Sequence, residues 1–256
     1  MNLQSHNVRK FNRFELKYIL PIKQAENLKS DLLAYLEPDS HGNSQGSYPV
    51  SSLYYDSPDL RCYWEKVEGI KFRRKLRIRS YQPYDALFPD DNVFVEIKQR
   101  VDRITQKKRI FITYQQALNL CQDEKQPDNE DLDQTICNEI FAYKFHYQLL
   151  PTAIVRYQRQ ALIGTDYDLG LRVTFDTQIT GQVSPLHLHE SENMLPILSP
   201  DLCVMEIKVN ERIPYWITEL VAIHNLQLTR ISKYCRCIEA NNLQYKSSLL
   251  SFMHTS

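Results

Sequence analysis

Lys71-Phe-Arg-Arg-Lys-Leu-Arg-Ile-Arg79 decides the fold. Six of these nine residues are basic and none is acidic. A strand sends alternate side chains to opposite faces, so Lys75, Arg77 and Arg79 share one face while Leu76 and Ile78 share the other. Like charges stacked along one face repel, and need either interspersed acids or a bound polyanion to sit together.

The same alternation recurs along the chain. Arg13, Glu15 and Lys17 share a face, as do Glu96 and Lys98, Lys107 and Arg109, then Arg172, Thr174 and Asp176, and finally Glu206 and Lys208. Strands are expected at Phe11 to Leu20, Pro49 to Tyr55, Lys71 to Tyr81, Val93 to Arg100, Lys107 to Thr113, Thr152 to Gly164, Leu171 to Thr177 and Leu202 to Asn210. Eight strands without regular βα alternation point to an antiparallel sheet or a closed barrel in an α+β domain. Glu96-Ile97-Lys98 and Glu206-Ile207-Lys208 are two copies of one strand pattern.

Helices flank these strands. Ile22, Ala25, Leu28, Leu32 and Leu36 form one helical face, begun by Pro21 and ended before Pro38. Thr113 and Gln116 make a capping box for a short helix through Leu120. Leu132 to Leu149 and Tyr215 to Leu226 read as amphipathic helices, and Ser232 caps a last helix from Lys233 towards Asn241. Polar loops at 38 to 48 and 123 to 131 are not interdomain linkers, because strands of one style continue on both sides, so one domain over 1–256 is expected.

The 256 residues carry 31 Lys and Arg against 31 Asp and Glu. Net neutrality argues against a protein that coats polyanions, and with it against a nucleic-acid binder. Six separated glycines, where an average usage of roughly 7% would give about eighteen, exclude a P-loop and a G-x-G-x-x-G fingerprint. The first residues lack an apolar signal region, and no run approaches the ~20 apolar residues of a membrane span. Six scattered cysteines are expected as buried, reduced thiols. A cytoplasmic protein is the expectation.

A barrel of about eight strands has an interior wide enough for side chains or one slender ligand. Arg and Lys from several strands facing inward would suit a linear oligophosphate, whose oxygens accept bidentate Arg and point-charge Lys contacts. Glu15, Glu96 and Glu206, interspersed among them, would place a divalent metal between carboxylate and phosphate oxygens.

Several segments, in order, carry a resemblance: Arg13-Phe-Glu-Leu-Lys17-Tyr18, Leu53-Tyr-Tyr-Asp-Ser-Pro-Asp59, Arg74-Lys-Leu-Arg-Ile-Arg79, Val95-Glu-Ile-Lys98, Tyr157-Gln-Arg159, Arg172 before Phe175-Asp176, Glu206-Ile-Lys208, Trp216-Ile-Thr-Glu-Leu-Val221 and Ser232-Lys-Tyr234. Together they resemble the catalytic domain of the vacuolar transporter chaperone polyphosphate polymerases, within the triphosphate tunnel metalloenzymes and their CYTH relatives. The resemblance implies a closed, eight-stranded antiparallel tunnel that binds a nucleoside triphosphate such as ATP with Mn²⁺ or Mg²⁺. It implies a basic lining of Lys17, Arg77, Arg79, Lys98, Lys107, Arg159, Arg172, Lys208 and Lys233, with Glu206 as metal ligand. Lys75, Arg230 and Ser232 are expected as further phosphate contacts, Arg230 falling where the family has a Lys. The fused regulatory and membrane regions of yeast members are not among the matched segments.

Each assignment has a plainer rival. Arg77 and Arg79 would serve equally in a cross-strand ion-pair ladder with Glu96 or Glu206, and Glu15 or Glu96 would simply neutralise a neighbouring arginine. Lys233 at a helix start suits a phosphate, yet surface lysines are common there. His187 and His189 lack a third ligand at zinc spacing and read as loop. Cys235 and Cys237 point apart on a helix, and Trp216, Leu220 and Val221 are core. The acidic run from Asp123 to Asp133 reads as solvated loop.

The expected activity is transfer of the γ-phosphate of ATP to a growing polyphosphate chain, carried by positioning and electrostatics without a protein nucleophile. Water as acceptor would give a tripolyphosphatase or nucleoside triphosphatase on the same residues. A module that binds polyphosphate or inositol polyphosphate without turnover needs the basic lining but not Glu206.

Overall fold

A computed structural model describes residues 13–102, 104–122, 132–165, 168–190, 192–210 and 212–246. In chain order the elements are β1 (Arg13–Pro21), α1 (Ile22–Leu32), β2 (Leu36–Pro38), β3 (Ser47–Asp56), α2 (Arg61–Val67), β4 (Phe72–Ser80), β5 (Asn92–Val101) and β6 (Ile104–Thr113). Then come α3 (Tyr114–Cys121), α4 (Gln134–His146), β7 (Leu150–Gly164), β8 (Arg172–Gln182), β9 (Leu195–Pro196), β10 (Leu202–Asn210), α5 (Tyr215–Ile223) and α6 (Lys233–Ala240). All eight expected strands are present. The acidic stretch from Asp123 to Glu130 and Asp131, and the expected start of the first strand at Phe11, lie outside the described residues.

The sheet runs β1-β10-β8-β7-β3-β4-β5-β6, with β2 added on β7 and β9 on β8. Every pairing is antiparallel. The expected closed barrel is corrected here: among the described residues no ladder joins β6 to β1, so the sheet is open. The reason lies at the free edge of β1. There the Thr229 N–H donates to the Lys17 carbonyl at 2.7 Å, and Leu228 bridges Tyr18. Side chains span the seam instead, Lys98 of β5 reaching Glu15 of β1 at 2.8 Å.

Three apolar clusters follow from the alternation. On the outer face of β3 to β6, Leu53, Leu76, Ile78, Val95 and Ile97 pack under Leu120 of α3 and Ile140 of α4. On the outer face of β1, β10 and β8, Tyr18, Val173, Phe175, Met205 and Ile207 pack under Leu28 and Leu32 of α1 and Ile217 of α5. Each such Leu or Ile contributes about 1.5–3 kcal/mol by leaving water. The third cluster covers part of the inner face: Tyr54, Val155, Tyr157 and Val204 meet Tyr234, Cys237 and Ile238 of α6. Gly181 permits that approach, since a Cβ there would stand 2.5 Å from Cys237 Sγ.

Two helix expectations change. The first helix ends at Leu32, and Leu36 leaves its face to pair with Gly164 in β2, still fully buried. Helix α2, not expected from the sequence, is organised by Asp56 from outside the usual capping position. Its carboxylate accepts the N–H groups of Cys62 at 2.8 Å and Tyr63 at 3.1 Å, and the hydroxyl of Tyr234 on α6. The capping box of α3 and the Ser232 cap of α6 form as expected, and Asp133 caps α4. All six cysteines are free and buried. Among the described residues no helix is long and apolar enough to cross a membrane.

Candidate functional site

Register carries the charges across the inner face. Lys17 stands opposite Glu206, and Glu206 opposite Thr174. Arg77 stands opposite Glu96, and Glu96 opposite Arg109. Lys75, Lys98 and Lys107 form one row of like charges. Arg74 and Lys108, on the other face as the alternation requires, lie over Tyr143 and against Glu139.

One wall, built from β1, β10, β8 and β7, is matched with acids. Glu206, 5% exposed, holds Lys17 at 3.0 Å and Lys208 at 2.9 Å, with Lys233 at 3.6 Å and Arg159 at 4.0 Å. Asp176 accepts two bonds from Arg159, at 2.6 and 2.7 Å, and pairs with Lys233 at 2.6 Å. Glu15 binds Lys17 at 3.1 Å, so one ammonium sits between two carboxylates. Burial opposes ionisation of Glu206 and Glu15, but the surrounding cations overcome it and hold both carboxyls well below the usual range. Burial also lowers Lys208, to about 8, against the pull of Glu206.

The other wall, from β3 to β6, has few acids. Glu96, fully buried, takes Arg77 at 2.6 Å and Lys107 at 3.0 Å. Arg79 donates to hydroxyls, Ser52 at 3.0 Å and Tyr157 at 3.3 Å, and feels Glu96 without a direct contact among the described residues. Burial would raise the Tyr54 hydroxyl, yet Arg77, Arg79 and Lys75 bring it down to about 8. Lys75 donates to the Ser232 hydroxyl at 3.2 Å and lies over the Tyr234 ring. Burial lowers Lys98 and Lys107 even though each has a carboxylate partner.

Most of the basic residues read from the sequence therefore converge on one concave face. Arg172 sits towards its margin, where it donates to Asp39 and to the Tyr48 hydroxyl, both at 2.6 Å. Arg230 is exposed on the segment leading to α6. The two Glu-Ile-Lys copies do different work: Glu206 pairs with its own Lys208, whereas Glu96 turns to Arg77 and Lys98 to Glu15. Sequence reasoning gave no role to Asp176, although its position on the face of Arg172 and Thr174 was a usable signal. Asp39 lies in a loop and carried none. His187 and His189 lie exposed in the loop between β8 and β9, as expected.

A surplus of cations on one concave face of an antiparallel sheet makes this a candidate anion-binding site, and oligophosphates are the ligand class whose chemistry matches it. The VTC domain matches residues 12–242 of the chain, which belongs to that family. The chain is 26% identical over 221 residues to Vacuolar transporter chaperone complex subunit 4 of Trypanosoma cruzi (strain CL Brener), and 25% identical over 221 residues to the subunit 4 of Trypanosoma brucei brucei (strain 927/4 GUTat10.1). Each match covers 74% of this chain but 28% of the relative, so the chain spans little more than a quarter of those proteins. A solved Bacillus halodurans structure, described as a "putative adenylate cyclase", shares the fold with a TM-score of 0.50 at 12% identity, over 86% of this chain and 95% of that one.

Proposed function

We propose that this domain binds a nucleoside triphosphate on its cationic inner face and transfers the γ-phosphate to a growing polyphosphate chain. The observation that carries the reading is the surplus of cations on the inner face, above all Arg79, which is 7% exposed and whose side-chain hydrogen bonds among the described residues go to hydroxyls. A buried guanidinium with no carboxylate in direct contact is costly alone and favourable beside an anion. Membership of the VTC domain family supports the same substrate class. The inner-face cations would hold the β- and γ-phosphates and offset charge on the equatorial oxygens during in-line transfer.

A Mn²⁺ or Mg²⁺ ion fits this site only jointly with substrate. Among the described residues no three His, Cys, Asp or Glu side chains come together. Glu15 and Glu206 share the Lys17 ammonium, so their oxygens already converge on one positive charge, and they are the residues that would hold the metal. Glu96 is occupied by Arg77 and Lys107 on the other wall. Hard carboxylate and phosphate oxygens are the ligands such ions prefer, and the ion would neutralise phosphate charge.

Incubation of the pure protein with ATP and Mn²⁺, resolved on a gel, tests the reading. Long polyphosphate chains are expected. Orthophosphate alone would make the protein a hydrolase on the same residues, and no turnover with retained binding would make it a binding module. A Glu206→Gln variant that kept full metal-dependent turnover would remove Glu206 from the metal role.

A further inference from the structure

One feature of the inner face is aromatic and not charged. Tyr48, Tyr81, Phe94 and Phe111 form a ladder of rings, the first two contacts edge-on and the last tilted, with successive centroids 5.7, 5.8 and 4.8 Å apart. The ladder crosses from β3 to β6 beside the cations. Phe94 stands opposite Arg79 on β4 and Phe111 on β6. Tyr48 accepts the Arg172 bond and stands opposite Arg159.

Its inner members are packed, but its last is not. Phe111 alternates with Ile110 and Ile112, which lie in the outer apolar cluster, so its ring is on the charged face. It lies against Phe94 on one side and is 54% exposed. The Arg109 guanidinium lies 4.6 Å from the Phe94 centroid, bringing a cation to the same spot. An exposed phenyl ring beside arginines, on a face otherwise given to charge, matches a ligand that joins a flat π-system to phosphates.

We propose that Phe111, backed by Phe94, is a stacking platform for the nucleobase of the triphosphate substrate, with Arg109 at the junction of base and phosphates. This deepens the reading above and rests on it: the platform would set a preference for nucleotides over inorganic tripolyphosphate. Every base has a π-face, so stacking on Phe111 would favour nucleotides as a class and discriminate weakly among the four bases.

Calorimetric titration of the full chain with ATP and with inorganic tripolyphosphate, each with Mn²⁺, tests it. Base stacking is worth enough that Phe111→Ala should weaken ATP binding roughly tenfold, while tripolyphosphate binding stays unchanged and Phe111→Tyr keeps the wild-type ratio of the two. If Phe111→Ala leaves that ratio unchanged while both ligands bind, the platform is wrong and the phosphate site stands. If the wild type binds neither ligand, the phosphate reading falls and the platform with it. Equal weakening of both ligands in Phe111→Ala, with Phe111→Tyr behaving the same way, would make the ring structural and also overturn the proposal.

Discussion

The two walls of the inner face solve the same electrostatic problem differently. On β1, β10, β8 and β7, the cations Lys17, Arg159 and Lys208, joined by Lys233 from the start of α6, are matched by Glu206, Asp176 and Glu15 within the protein. On β3 to β6, the one carboxylate that pairs with Arg77 and Lys107 among the described residues is Glu96, and Arg79 hydrogen-bonds to hydroxyls. Stability should therefore be concentrated in the first wall and ligand dependence in the second. A network already satisfied loses most when one member is removed, while an unmatched cation gains most when an anion arrives.

The largest effect should come from breaking the matched wall. Asp176→Ala leaves Arg159 and Lys233 without their buried carboxylate and should cost about 3–5 kcal/mol of stability, read from urea unfolding; a loss under about 1 kcal/mol would show that the wall is not a structural network. Arg79→Ala tests the opposite wall. It orphans no carboxylate, so the fold should hold, while losing charge-assisted bonds of about 1.5–3 kcal/mol should weaken triphosphate binding roughly ten- to a hundredfold. Unchanged affinity with unchanged stability would place that arginine outside the binding face.

Titration sharpens the contrast further. Lys208, lowered to about 8 by burial, keeps its proton to higher pH in the unfolded chain. The unfolded state then binds more protons between pH 8 and the ordinary lysine range, so this group's contribution to stability rises with pH there. Triphosphate favours the ammonium, so affinity should move the other way and decline above pH 8. Tyr54, also near 8, adds negative charge to the second wall over the same interval. Binding measured from pH 7 to 9.5 should fall by at most about tenfold per unit for each group, and Lys208→Arg should flatten part of the decline; a flat wild-type profile contradicts both assignments. The smallest effect is expected at Arg230, which is exposed. Arg230→Ala should change stability by less than about 0.5 kcal/mol, and a large loss of triphosphate affinity would bring that side chain onto the inner face when ligand binds.

Much of the site was legible because strand periodicity is local. Arg77 and Arg79 alternate with Leu76 and Ile78, and the structure buries those two apolar side chains completely on the outer face. The same rule put Lys98, Lys107, Arg159, Lys208 and Glu206 on the charged side. Pairing was not legible. Nothing in Glu96-Ile97-Lys98 says that Glu96 will turn to Arg77 across the ladder while Lys98 crosses the seam to Glu15. Helix α2 escaped for a related reason: its cap is Asp56, five residues before Arg61, acting through a left-handed Leu60.

The sequence by itself determined eight strands, the face on which each charge lies and the caps of α3 and α6, since all of these depend on neighbours a few residues apart. Only the tertiary structure decided that the sheet stays open, because the segment at 228–229 and β6 approach the same edge of β1 from distant parts of the chain. It also decided which cations are matched and which are left for a ligand. Coulomb attraction acts over a few ångströms of space, and a linear chain does not say which residues will share them.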